Sequence, residues 1–279
     1  MDNWRIIADS SCDLNIEGFE SPAVGFNTVP LKIIVGEKEF VDTPSNVNDM
    51  LIALKKHKGP SSSACPSPFD FAEEFKKAKN SIAITVTSAL SGTYNSALQA
   101  TKMVIEEFPE KMIHVIDSRA TSGTMILLAN KLKELIECGL PFDEVVEQIE
   151  KYNSSLKLLF SLTTFDNLVK NGRMSRTAGV LATALGIRAV AVNSEQGTIE
   201  VLEKHRGEPR AIEAMVKLMS KFKDMTDNPV VISHCNNIDG ANNLKKVIES
   251  TYKVKEISIV ECKCLTSFYA GDRGLLLAF

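Results

Sequence analysis

The strongest constraint on this chain is a rhythm. Short apolar, β-branched runs alternate with longer runs in which apolar residues return every three or four positions. Residues 82–86, Ile-Ala-Ile-Thr-Val, are apolar at almost every position. Such a run predicts a strand buried on both faces, as in a parallel sheet covered by helices. Helical spacing precedes it over 68–79, opened by Ser67 as N-cap and Pro68 in the first turn. A second helix is predicted over 93–108. Strand 113–116, helix 121–138 (closed by Gly139) and helix 142–151 follow. Upstream, strands are predicted over 5–8, 24–35 and 39–41, then a helix over 47–58 and a loop over 59–63. Downstream come strand 156–162, a short helix 165–170, a turn at 171–175 and a small-residue helix 178–185. A hairpin is predicted from 189–192 and 198–204, around Glu195-Gln196-Gly197. Helix 209–222, strand 230–234, helix 240–252, strand 257–261 and a last strand 274–279 complete the pattern. The alternation predicts an α/β protein of two domains with largely parallel sheets, spanning 1–154 and 155–279.

Composition narrows the function classes. Lys+Arg 32 against Asp+Glu 35 gives a net charge of −3, without the basic excess of a nucleic-acid binder. The longest apolar stretch, 178–192, contains Gly186 and Arg188 and is too short for a membrane span. The opening Met1-Asp2-Asn3-Trp4-Arg5 has no basic segment followed by an apolar one, so a cytoplasmic protein is expected. Six cysteines, of which only Cys262 and Cys264 are close, complete no zinc pattern. Reduced thiols are expected, with a shared thiol site at 262 and 264 conceivable if both lie on one strand. No cofactor is implied.

In open α/β sheets, ligands bind beyond the carboxyl ends of the strands. The loops there are rich in hydroxyls: Ser10 and Ser11; Ser61, Ser62 and Ser63; Thr87, Ser88, Ser91 and Thr93; Ser118, Thr121 and Ser122. Turn formation and helix capping are the ordinary explanation for any one of them. Ser91-Gly92-Thr93 is the sharpest feature, because it follows a buried strand and opens a helix. Free N–H groups and the helix dipole favour an anion there, and Gly92 allows close approach. The loop matches neither the phosphate-binding Gly-Lys-Ser/Thr pattern nor the G-x-S-x-G nucleophile elbow.

Catalytic groups are scarce. Of His57, His114, His205 and His234, only His234, at the end of a predicted second-half strand, is placed where function is plausible, so a Ser91–His234 pair stays open as a hydrolase reading. A small-molecule kinase-like enzyme and a phosphate sensor at the helix start by Thr93 stay open as well. Asp9 and Asp13 flank one strand end. They would suit Mg²⁺, though loop-capping carboxylates are the commoner use.

Five ordered segments resemble the DegV family of bacterial fatty-acid-binding proteins. They are Asp9-Ser10-Ser11-Cys12-Asp13-Leu14, Ser63-Ala64-Cys65-Pro66-Ser67-Pro68, Ser91-Gly92-Thr93-Tyr94-Asn95-Ser96-Ala97, Asp117-Ser118 with Ser122-Gly123, and Lys170-Asn171-Gly172-Arg173-Met174-Ser175. The resemblance implies two α/β domains enclosing a long acyl chain. It implies a carboxylate held by Ser63 and Ser91, by Gly92 and Thr93 at the helix start, and by loop residues around Ser10 and Ser122. Arg173 matches the family's turn arginine. The family implies a carrier rather than an enzyme, in one branch presenting the ligand to a fatty acid kinase subunit. Tyr269 stands where the family commonly has histidine; its hydroxyl can donate a hydrogen bond but supplies no titrating imidazole. Small residues at 178, 179, 182, 183 and 184 would suit a channel wall.

Overall fold

The structure is a computed structural model and describes residues 4–15, 19, 21–175 and 186–279. The helix expected over 178–185, with its channel-lining small residues, lies outside the described residues.

The first half builds one wholly parallel sheet. Strands β1 (Trp4–Asp9), β2 (Val24–Val29), β6 (Asn80–Thr85) and β7 (Met112–Asp117) lie in the order β2-β1-β6-β7. Between them come β3 (Lys32–Val35), β4 (Lys38–Val41), α1 (Val47–Lys56), β5 (Ser61–Ala64) and α2 (Pro68–Phe75). Helices α3 (Thr93–Glu107), α4 (Gly123–Glu137) and α5 (Phe142–Ser155) follow. Alternation along the strands sends Ile7, Ala83 and Val115 to one face, against Phe71 and Phe75 of α2 and Ala97, Ala100 and Val104 of α3. Ile6, Ile82 and Ile84 go to the other face, against α4 and α5.

The second half is a six-stranded sheet in the order β10-β9-β8-β13-β11-β12. Its strands are β8 (Leu158–Leu162), β9 (Ile187–Asn193), β10 (Ile199–Arg206), β11 (Pro229–His234), β12 (Glu256–Glu261) and β13 (Leu275–Ala278). Its helices are α6 (Asp166–Lys170), α7 (Glu208–Phe222), α8 (Ile238–Thr251) and α9 (Cys264–Ala270). The α/β class holds, but here only β11 and β12 pair in parallel. Parallel neighbours need a long crossover, and α8 provides one between those two strands. The β9–β10 hairpin and the insertion of β13 between β8 and β11 give antiparallel neighbours instead.

Helix α4 lies between the two sheets. An added Cβ at Gly123 would come within 2.9 Å of Ala278 Cβ and 3.1 Å of Val231 Cβ, so glycine permits that approach. The largest apolar cluster therefore draws on both halves, from Trp4 and Ile126 to Phe160 and Leu276. The far face of the second sheet is covered by α7 and α8.

Three local expectations change. Pro30 carries no N–H, and the strand read over 24–35 splits there into β2 and β3, which join different sheets. The serine run read as loop is strand β5, paired antiparallel with β3 so that Ser63 stands opposite Ile33. Cys262 follows a strand whereas Cys264 opens α9, so the two do not share a strand face. All six thiols are free; Cys65 and Cys138 are exposed and the other four buried. No described helix is long and apolar enough to cross a membrane.

Candidate functional site

The loop from β6 to α3 is built by carboxylates at the ends of neighbouring strands. Asp9, at the end of β1, accepts from Val86 N at 2.6 Å. Asp117, at the end of β7, accepts from Ser88 N at 3.1 Å and from the Ser88 hydroxyl. Thr87 N donates to Ala120 O at 2.9 Å, and Ser91 N to Thr87 O at 3.2 Å. This bracing presents Ser91 just before α3. Its Oγ lies 2.9 Å from the Thr93 hydroxyl. An added Cβ at Gly92 would meet only Cys65 Sγ, at an ordinary 3.5 Å, so the protein's own packing does not demand glycine there.

Opposite this loop, β8 turns Leu158, Phe160 and Leu162 to one face, since residues two apart point the same way. Those three, with Leu31, Leu168, Ile199, Leu265 and Leu276, wall a cavity between the halves. The space it encloses, open mouth and adjoining solvent included, is about 850 Å³. Hydroxyls punctuate the wall at Ser63, Thr87, Ser91, Thr121 and Tyr269. Ser63 Oγ lies 2.8 Å from Tyr269 OH, a bond that joins β5 to α9. Arg173 borders the same cavity after the turn that ends α6, where Gly172 has φ +73°. Its Nε donates to Leu90 O at 3.1 Å and its Nη1 to Asn171 O at 2.5 Å. The guanidinium is thereby tied to the residue next to Ser91.

Of the residues singled out in the sequence, Ser63, Thr87, Ser91, Thr121, Arg173 and Tyr269 border one cavity. Thr93 is fully buried behind Ser91. Ser10 and Ser122 do not line the cavity; their hydroxyls serve buried carboxylates. Ser10 Oγ donates to Asp42 at 2.7 Å and accepts from Leu31 N at 2.9 Å. Ser122 Oγ donates to Asp13 and lies 2.8 Å from Ser233 Oγ.

Asp9 is a loop-capping carboxylate: it accepts from Ser11 N, Ser11 Oγ and Val86 N. Among the described residues no cluster suited to a metal ion occurs. Burial pushes the Asp9 carboxyl up to about 6 against those hydrogen bonds, and pushes Asp42 up to about 7. His234 borders no part of the cavity. Its Nδ1 accepts from Asn237 N at 3.3 Å, and burial lowers its pKa. Ser91 is thus paired with a threonine hydroxyl rather than an imidazole, and no histidine borders the cavity.

Three further wall residues, Arg119, Asn193 and Gly197, gave no functional signal in the sequence. Thr87 Oγ1 donates to Gly197 O at 2.9 Å, and Asn193 Nδ2 to Arg119 O at 3.2 Å, seating the β9–β10 turn on the first half. An added Cβ at Gly197 (φ +78°) would fall 2.1 Å from Thr87 Oγ1. The predicted turn at 195–197 was the only available hint.

The fold and site define a class: an α/β protein with an apolar cavity between two sheets and a hydroxyl-studded wall. Comparison with known proteins makes the class specific. The family model for DegV proteins matches residues 3–278, and this chain belongs to the DegV family. A DegV domain-containing protein of Streptococcus pneumoniae is 40% identical over 99% of this chain and 98% of its own. The crystal structure of the Streptococcus pneumoniae fatty acid kinase B3 protein loaded with linoleic acid is similar at a TM-score of 0.95. It has 39% identity, covering 100% of this chain and 99% of that one. A DegV family protein of Eubacterium eligens loaded with heptadecanoic acid is similar at 0.93, with 32% identity over 99% and 98% of the two chains.

Proposed function

We propose that this protein binds a long-chain fatty acid, with the tail in the cavity and the carboxylate at its hydroxyl-bearing mouth. The observation that carries the reading is the convergence of Ser63, Ser91 and Tyr269 on a cavity whose wall includes the apolar run Leu31, Leu158, Phe160, Leu162, Leu168, Ile199 and Leu276. The relatives whose crystals hold linoleic and heptadecanoic acid support the ligand class. Burial at ~0.8 kcal/mol per methylene gives a sixteen-carbon tail a gross drive of about 12 kcal/mol, from which ordering costs subtract. Affinity therefore resides in the tail, and the head group sets orientation.

In this reading Ser63 and Ser91 donate to the carboxylate, Tyr269 stands beside them, and Arg173 supplies the positive field. Thr93 orients the Ser91 hydroxyl, and Gly92 leaves the backbone at the helix start open. Ser10 and Ser122 act behind the wall. The halves 1–154 and 155–279 act as two units that close on the tail together. The fatty acid kinase subunit among the relatives favours a carrier that presents its carboxylate to a separate kinase. The hydrolase reading has no base beside Ser91 to support it.

Organic extraction of the purified protein followed by lipid mass spectrometry tests the proposal. The expected result is stoichiometric long-chain fatty acid, reduced in the Ser63→Ala/Ser91→Ala double variant. Absence of lipid, together with failure to take up added fatty acid, would refute it.

A further inference from the structure

Helix α9 is short, and its own N-cap residue, Lys263, makes no side-chain cap. A helix of seven residues is too brief to persist on propensity alone, and its first N–H groups need outside partners. They find them in the first half of the chain. Asp13 accepts from Lys263 N at 2.8 Å, and Asp42 accepts from Leu265 N at 3.0 Å. Both carboxylates are buried, at 4% and 3% exposure.

The same helix is a cavity wall. Leu265, Thr266, Tyr269 and Ala270 all border the cavity, and their spacing places them on one helical face. Tyr269 lies one turn beyond Leu265 and meets Ser63. Asp42 also reaches a second wall: its other oxygen accepts from Ser10 Oγ, which accepts from the backbone of Leu31. One buried carboxylate thus fixes α9 and Leu31 against each other.

We propose that Asp42, aided by Asp13, is a positioning residue for the ligand mouth: it caps α9 from the first half and so sets where Tyr269 stands relative to Ser63. The inference rests on the fatty-acid reading above. Asp42 touches no ligand and acts only through the helix. Asparagine at 42 keeps an oxygen for Leu265 N, whereas alanine keeps none.

The test is titration with a fluorescent long-chain fatty acid of the delipidated wild type, Asp42→Ala, Asp42→Asn, Tyr269→Phe and the Asp42→Ala/Tyr269→Phe pair. Asp42→Ala is expected to weaken binding roughly three- to tenfold, the scale of one misplaced hydrogen bond. Asp42→Asn restores most of that loss. In the Tyr269→Phe background, Asp42→Ala adds little further loss, which a purely destabilising role would not produce. Full affinity in folded Asp42→Ala, or an equal loss with and without the Tyr269 hydroxyl, overturns the inference. Should Asp42→Ala fail to fold, Ser10→Ala, which removes one hydrogen bond to the carboxylate together with the acceptor of Leu31 N, is expected to weaken binding in the same direction. Fluorotyrosine at position 269, read by ¹⁹F NMR without ligand, separates the two levels. Its resonance is expected to move in Asp42→Ala and not in Asp42→Asn; no movement in either refutes the positioning role. A wild type that takes up no probe refutes only the fatty-acid reading.

Discussion

Two pairs of serines lie in the first half, and they do different work. Ser63 and Ser91 are partly exposed on the cavity wall, and each hydroxyl has another hydroxyl as its neighbour. Ser10 and Ser122 are almost fully buried, and each donates to a carboxylate. Hydroxyl–hydroxyl contacts exchange readily with a ligand oxygen. A bond from a buried hydroxyl to a buried carboxylate does not, because breaking it leaves a desolvated polar group without a partner. The first pair suits recognition and the second suits construction.

The contrast breaks most visibly at Asp13. Asp13→Ala removes the acceptor of Lys263 N and Ser122 Oγ and a countercharge for buried Lys263. A loss of about 3–5 kcal/mol is expected by urea denaturation, as for other broken buried charge networks. A loss under about 1 kcal/mol would mean the cluster is dispensable.

A smaller effect is expected from pH. Burial raises the folded-state pKa of Asp42 to about 7 and of Asp9 to about 6, and raises Asp13 as well. A raised carboxyl binds its proton better in the folded state. Its contribution is therefore fully present below the unfolded value near 4 and is lost as pH rises through 6 to 7. Lys263 faces all three carboxyls and opposes the shifts. The neighbouring thiols, Cys12 and Cys264 pushed up to about 12 by burial and Cys262 raised well above the ordinary thiol value, stay protonated across that window. Asp42→Asn should gain stability relative to the wild type between pH 5 and pH 8, by on the order of 1 kcal/mol. Parallel pH profiles of the two urea midpoints would count against it.

The smallest effect falls on the recognition pair. Ser63→Ala in the delipidated protein should change stability by no more than about 0.5 kcal/mol, as at other partly exposed sites. Lipid retention should nevertheless fall. A stability loss as large as that of Asp13→Ala would erase the distinction between the two pairs.

Much of the fold was legible because periodicity reports burial. The run 82–86 falls on β6, starting two residues late and ending one late, and Ser67-Pro68 opens α2 through a capping box with Asp70. Strand β5 was hidden because serine runs usually mark turns, and only its pairing with β3 makes Ser61–Ala64 a strand. Helix α9 was hidden for a related reason. Its seven residues show too little periodicity, and its caps come from residues more than two hundred positions away.

The sequence alone determined the alternation of strands and helices, the hydroxyl-rich strand ends and the family to which they belong, since these depend on local spacing and residue type. The tertiary structure decided which serines face a cavity and which face a carboxylate. It also decided that the second sheet is mixed and that α9 is held by Asp13 and Asp42. Those outcomes turn on burial and on partners distant in the chain, and no local pattern encodes either.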